Sequence, residues 1–189
     1  MIDFNKTVFC FALKEEAGDK FDEFNCLFTG MGKVNAAFSL TKYLMANPQI
    51  NKVINLGTCG AKNLRAETLV YATTFYQRDW LVPKFAFANE EFEKIEYGLE
   101  VKKLPKVACG TGDSFVSEWN SDFEFEIVDM EAFALAVVCK NLGKDFLCIK
   151  SVSDNANEEN GVSAIEQWHN YLEKAAKNLK EFITLMNKG

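Results

Sequence analysis

Two acidic segments in the second half of the chain, VDMEAFA at 128–134 and KSVSDNA at 150–156, each close an apolar, strand-like run. A third acid, Glu16, follows the first such run near the amino terminus. Open α/β sheets expose at strand ends the groups that bind and transform small ligands. Carboxylates so placed suit the breaking of an N-glycosidic bond, in which one acid helps the base depart and another prepares water on the opposite face of the sugar. Asp154 suits the first role, because burial beside Val152 would disfavour its charged form and keep a proton available near neutral pH. Glu131 stands at the start of a helical pattern, where the helix dipole favours a carboxylate that can accept bonds from two neighbouring hydroxyls, as a diol requires. Each acid also has a plainer reading. Asp154 could cap a turn in an Asn-rich loop, Glu131 could be an ordinary first-turn charge, and Glu16 could be a solvated glutamate of ALKEEAGDK.

The elements that must position these groups follow from the hydrophobic pattern. Thr7 to Leu13 and Cys26 to Thr29 read as buried strands, the second breaking at the glycines of TGMGK. From Lys33 the apolar positions Val34, Ala37, Leu40, Tyr43 and Leu44 recur at helical spacing until Asn47 and Pro48. Lys52 to Leu56 reads as a strand closed by a turn at 57–61, and Thr68 to Tyr76 as a strand dense in β-branched and aromatic residues. Phe85 to Lys103 has no sharp period and reads as a connection or small lid. Strands at Val107 to Cys109, Phe125 to Val128 and Phe146 to Val152 each run into a turn bearing polar groups. Ala132 to Leu142 is apolar nearly all round, hence a buried helix, with Gly143 as its carboxyl-terminal cap. The last helix places Ile165, Trp168, Leu172, Ala175, Leu179, Phe182 and Met186 on one face, which should pack on the sheet. This order predicts one α/β domain over 1–189, three layers deep (α/β/α), around a central mixed sheet.

Composition bounds the partners. A chain of 189 residues, 48% hydrophobic, can bury a full core. The six cysteines include no CxxC pair and most lie in apolar runs, which predicts buried, reduced thiols and a cytoplasmic protein. No apolar stretch is long enough for a membrane span, and the amino-terminal segment lacks a signal-peptide layout. A net charge of -6 with only two arginines, Arg65 and Arg78, argues against nucleic acid. Neither metal-ligand spacing nor a phosphate-gripping GxxxxGK[ST] motif occurs, so no cofactor is expected. The lone His169 is assigned no role.

The blocks TGMGKVNAA, NLGTCGA, GTGDSF, VDMEAFALA and KSVSDNA, in this order and spacing, resemble the 5'-methylthioadenosine/S-adenosylhomocysteine nucleosidases of the nucleoside phosphorylase superfamily. The likeness spans residues 8–156. It implies a nucleoside phosphorylase-like fold and, as substrate, a purine nucleoside hydrolysed without a cofactor by a homodimer. By the same resemblance Asp154 protonates the purine with Ser153 orienting it, and Glu16, the last acid of ALKEE, activates water. Glu131 holds the ribose diol and Met130 packs on the sugar. Phe115 stacks on the base, whose edge meets the backbone of Val116, and Thr58, Cys59, Gly60, Ala12 and Met31 line the pocket. Thr58 and Cys59 stand where relatives carry Ser and Ala. A phosphorylase needs cations around its anion, and the acidic KEE stands where phosphorylases place their first phosphate-binding loop. Water is therefore the expected nucleophile. The shortage of arginine also weakens an AMP nucleosidase reading, although Arg78 or a lysine could meet one phosphate. A pocket that binds nucleoside without turnover is the remaining alternative, and the intact trio Glu16, Glu131 and Asp154 speaks against it.

Overall fold

The computed structural model describes the backbone of residues 2–80, 93–116, 119, 124–155 and 161–188, with side chains for these except 154, 155, 161–167 and 188. After a single 3-10 turn at Phe4–Lys6, the elements are β1 (Thr7–Phe11), α1 (Lys14–Ala17), β2 (Cys26–Phe28), α2 (Lys33–Ala46), β3 (Lys52–Ala61) and β4 (Leu69–Gln77). They continue as β5 (Lys94–Glu96), β6 (Lys106–Thr111), β7 (Ile127–Asp129), α3 (Ala132–Asn141), β8 (Asp145–Asn155) and α4 (Gly161–Lys188). The eight strands form one mixed sheet. Its path runs β2-β1-β3-β7-β6-β4-β5, and β8 bridges β3 and β4, so β3, β7, β6, β4 and β8 close on themselves. β8 lies parallel to β3 and antiparallel to β4.

Side-chain alternation along these strands builds two cores. On β1, Val8 and Cys10 face the cluster that contains Ala36 and Leu40 of α2 and most of α3, while Phe9 and Phe11 face Ala17 of α1 and Leu179 and Ile183 of α4. β3 and β8 repeat the division, with Val53, Phe146 and Cys148 on the first side and Ile54, Leu56, Leu147 and Ile149 on the second. Apolar residues point both ways because both faces of the sheet are covered. Five of the cysteines are buried within these packings and Cys26 is half-buried. No helix among the described residues is long and apolar enough to cross a membrane.

Three sequence expectations need correction. β3 does not stop at Leu56 but continues through the glycines to Ala61, because β8 pairs with it along its whole length and β7 pairs with its far end. Tertiary pairing overrides the local turn signal there, at the cost of a register shift between Cys59 and Gly60. Part of the unplaced 85–103 segment is strand, β5 pairing antiparallel with β4; residues 81–92 lie outside the described set. On α4, Leu172, Ala175, Leu179 and Ile183 are buried, whereas Trp168 leaves that face for the cavity described below. Ile165 falls outside the described side chains. Gly143, with φ 61, does close α3 in the left-handed conformation that glycine tolerates best.

Candidate active site

A cavity of about 220 Å³ opens at the ends of β1, β3, β7 and β8. Every expected site residue whose side chain is described lines it: Glu16, Ala12, Met31, Thr58, Cys59, Gly60, Phe115, Val116, Met130, Glu131 and Ser153. Asp154 pairs through its backbone with Gly60 inside the β3–β8 ladder, so it belongs to a strand and not to a loop turn; its side chain lies outside the described set.

Glu16 is buried at 6% exposure although it belongs to a four-residue helix, α1. Its side chain folds back on that helix start, where Oε2 accepts from the backbone N–H groups of Ala12 (3.1 Å) and Leu13 (3.3 Å). Oε1 accepts from the Thr58 N–H and the Thr58 hydroxyl, both at 2.9 Å. The approach depends on Gly57. A β-carbon there would stand 2.8 Å from Glu16 Oε1, and φ is +148°. Gly57→Ala is therefore expected to cost about 1–3 kcal/mol of stability through backbone strain alone and to push the Glu16 carboxylate off Thr58. Denaturant unfolding checks the first effect, and an unchanged midpoint would contradict it.

Glu131 immediately precedes α3 but does not cap it. That task falls to Asp129, whose Oδ2 accepts from the Ala132 N–H at 2.9 Å. Glu131 instead reaches across 99 positions of sequence to accept from the Gly32 N–H at 2.8 Å. Burial, with Asp129 adding to it, pushes the Glu131 carboxyl up to about 8. Beneath it lies an ion pair that the sequence reading did not assign. Lys150 Nζ stands 2.9 Å from Asp129 Oδ2, with side chains 3% and 2% exposed. Burial works against both charges, yet each holds the other: Asp129 is kept below its ordinary range by Lys150 and the Thr111 hydroxyl, and Lys150 is raised by Asp129. The signal was available, since both residues sit in apolar strand ends within the quoted acidic blocks, where an unpaired charge would be costly.

The loop 112–116 that borders the cavity is braced by Arg78. Arg78 lines the cavity, but its guanidinium donates to Ser114 Oγ (3.1 Å), the Gly112 carbonyl (3.0 Å) and the Ser114 carbonyl. Those bonds commit it to the loop 112–116 and weaken its candidacy as a phosphate ligand. Lys33 joins the same neighbourhood by donating to Gln77 and pairing with Asp79, while its backbone N–H donates to Asp113 Oδ1 at 2.8 Å. Phe115 remains 58% exposed, an open ring face over the cavity. Ser153 Oγ donates to the Cys59 carbonyl at 3.3 Å, tying β8 to β3. Among the described residues, no cluster of His, Cys, Asp and Glu is placed to hold a metal ion.

The chain matches the Phosphorylase superfamily over residues 20–186. It is 32% identical over 188 residues to the 5'-methylthioadenosine/S-adenosylhomocysteine nucleosidase of Bacillus pumilus (strain SAFR-032), covering 86% of this chain and 79% of the relative. Its fold is similar to that of a futalosine hydrolase mutant of Helicobacter pylori strain 26695, with a TM-score of 0.82 at 22% identity over 96% of this chain and 98% of that one. The 5'-methylthioadenosine/S-adenosyl homocysteine nucleosidase of Helicobacter pylori gives a TM-score of 0.79 at 22% identity, covering 94% and 97% of the two chains.

Proposed function

Because the chain belongs to the phosphorylase superfamily and, within it, to the 5'-methylthioadenosine/S-adenosylhomocysteine nucleosidases, we propose that it hydrolyses the N-glycosidic bond of a purine nucleoside, 5'-methylthioadenosine or S-adenosylhomocysteine, to adenine and a ribose derivative. The observation that carries the reading is the convergence of two buried carboxylates, Glu16 and Glu131, on one cavity beside the strand end that bears Asp154. In this scheme Glu16 takes the proton of the attacking water and Asp154 gives one to the purine as the bond breaks. Phe115 stacks on the base, Val116 meets its edge, and Met130 and Met31 border the sugar. Water is the nucleophile we favour over phosphate, since the cations nearest the cavity are already engaged: Arg78 by its loop, Lys150 by Asp129 and Lys33 by Asp79. Incubating the protein with 5'-methylthioadenosine in the presence and absence of phosphate tests this. Adenine and free methylthioribose without phosphate support it, and a phosphate-dependent sugar 1-phosphate overturns it.

Glu131 gives the scheme a pH signature. A carboxyl at about 8 is largely protonated at neutral pH, and the carboxylate, with no O–H of its own, is the stronger acceptor for both hydroxyls of a diol. The ratio kcat/KM is therefore expected to rise about tenfold between pH 7 and 9, while kcat is flatter because bound hydroxyls favour the carboxylate. Glu131→Gln should flatten the kcat/KM limb; a limb that survives in that variant belongs to another group. Because the folded value lies above the ordinary 4.5, this group's contribution to stability is fully present below 4.5 and is lost as pH rises through about 8.

We place the enzyme in the cytoplasm as a homodimer. Support for the dimer comes from α2, whose Val34 (78% exposed), Phe38 (67%) and Met45 (72%) form an apolar stripe beside Met31 of the cavity. Sedimentation velocity is expected to give twice the chain mass, and Val34→Glu with Phe38→Glu to give monomers. A wild-type monomer at micromolar concentration would rule out the dimer.

A further inference from the structure

The hydrogen bonds at Glu16 do not end at Thr58. Trp168, on the last helix, donates its indole Nε1–H to Thr58 Oγ1 at 2.8 Å across 110 positions of sequence. The direction of this bond is fixed by chemistry, because an indole nitrogen only donates. Thr58 Oγ1 must accept, and its single hydroxyl proton is left for Glu16 Oε1, 2.9 Å away. The chain Trp168 to Thr58 to Glu16 therefore has one orientation throughout, and each bond polarises the next.

Its consequence is an asymmetry between the two carboxylate oxygens. Oε1 carries the Thr58 N–H and the Thr58 hydroxyl, both at 2.9 Å, whereas the donors on Oε2 stand at 3.1 and 3.3 Å. Four donors fill the roughly four acceptor sites of a carboxylate, so a proton from water must displace the weakest of them. That weakest donor is on Oε2.

We propose that Trp168 is a positioning residue for water activation: its indole N–H locks the Thr58 hydroxyl onto Glu16 Oε1 and thereby leaves Oε2 as the oxygen that takes the proton. The indole is brought there by α4 itself. Leu172, Ala175, Ala176 and Leu179 are buried against the sheet and seat the helix, while Trp168, one turn before Leu172, lines the cavity and His169 beside it is exposed. The seating of the last helix on the fold thus sets the geometry of an acid near the amino terminus.

The inference rests on the proposed role of Glu16, and its test separates the two. Trp168→Phe keeps a smaller aromatic ring and removes the donor, and the Thr58 variants separate the lost bond from the lost volume. With 5'-methylthioadenosine as substrate, kcat is expected to fall about fivefold to tenfold, the loss of one hydrogen bond, with KM within about twofold. Thr58→Ser, which retains the hydroxyl, should keep most of the wild-type kcat, and Thr58→Val should lose at least as much as Trp168→Phe. Adding Trp168→Phe to Thr58→Val should then cost little more, since the relay is already broken. In proton–nitrogen spectra the indole signal absent from Trp168→Phe should be shifted in Thr58→Val and unmoved in Thr58→Ser. An active wild type whose Trp168→Phe variant keeps full kcat, or whose double variant shows additive losses, overturns the positioning role and leaves the nucleosidase reading standing. A wild type that cleaves no purine nucleoside overturns the reading and, with it, the role of the relay.

Discussion

Replacing either proposed proton-transfer group, as Glu16→Gln or Asp154→Asn, is expected to lower kcat by about 10²- to 10⁴-fold, the usual contribution of a positioned general base or acid. For Glu16 the geometry makes the loss specific. Its four neighbours are all donors, the N–H groups of Ala12, Leu13 and Thr58 and the Thr58 hydroxyl. Glutamine keeps one acceptor oxygen and adds an amide that can only donate, so whichever way it turns, its NH2 meets donors. The variant therefore loses the base and also strains its setting, and the kinetic measurement needs a folding control such as adenine binding by calorimetry. Asp154→Asn removes the transferable proton, and its kinetics need the same folding control. KM should change far less than kcat in both, because each group acts as the bond breaks. A folded Glu16→Gln protein with kcat within a few fold of wild type would exclude Glu16 as the base.

The second large effect concerns stability. Lys150→Met is expected to destabilise the protein by about 3–5 kcal/mol, because it strands a buried carboxylate. Asp129 would keep the Thr111 hydroxyl at 2.6 Å, the Ala132 N–H and the Cys109 thiol, but these are neutral donors and do not balance a charge at 2% exposure. At roughly 2–4 °C per kcal/mol for a chain of this size, thermal unfolding should begin about 6–20 °C lower. Asp129→Leu combined with Lys150→Met should recover part of the loss, since an apolar pair avoids the desolvation that the ion pair had to overcome. A single variant with an unchanged Tm would mean that the pair contributes nothing to the fold. The pair also lies beneath Glu131, so recovery of Tm in the double variant without recovery of activity would separate its structural from its electrostatic role.

Much of this architecture was legible locally. Apolar runs of β-formers located most of the strands, helical spacing located α2 and α4, and the nearly all-apolar 132–142 segment announced a helix buried over most of its length. Glu131 and Asp154 drew attention because charges at the ends of apolar runs need a reason, whereas Glu16 was singled out through the resemblance carried by the ordered blocks. The signals for strands and helices succeed because side-chain period and backbone propensity act over a few residues.

What local pattern could not carry was which distant atoms meet. The glycines of 57–61 look like a turn, yet ladder pairing on both sides keeps them extended and brings Thr58 to Glu16. Nothing local said that Arg78 would donate to its own loop, and Trp168 looked like one more core position of an amphipathic helix. Lys150 and Asp129 meet because β7 and β8 both pair with β3. The sequence alone thus determined most of the elements, most of their faces and the chemical identity of the acids, since each is largely a property of neighbouring residues. Only the tertiary structure decided which donor each acid accepts from and which charges are spent in pairs, because hydrogen bonds and ion pairs depend on distances of a few ångströms that closure of the strands sets between residues tens of positions apart.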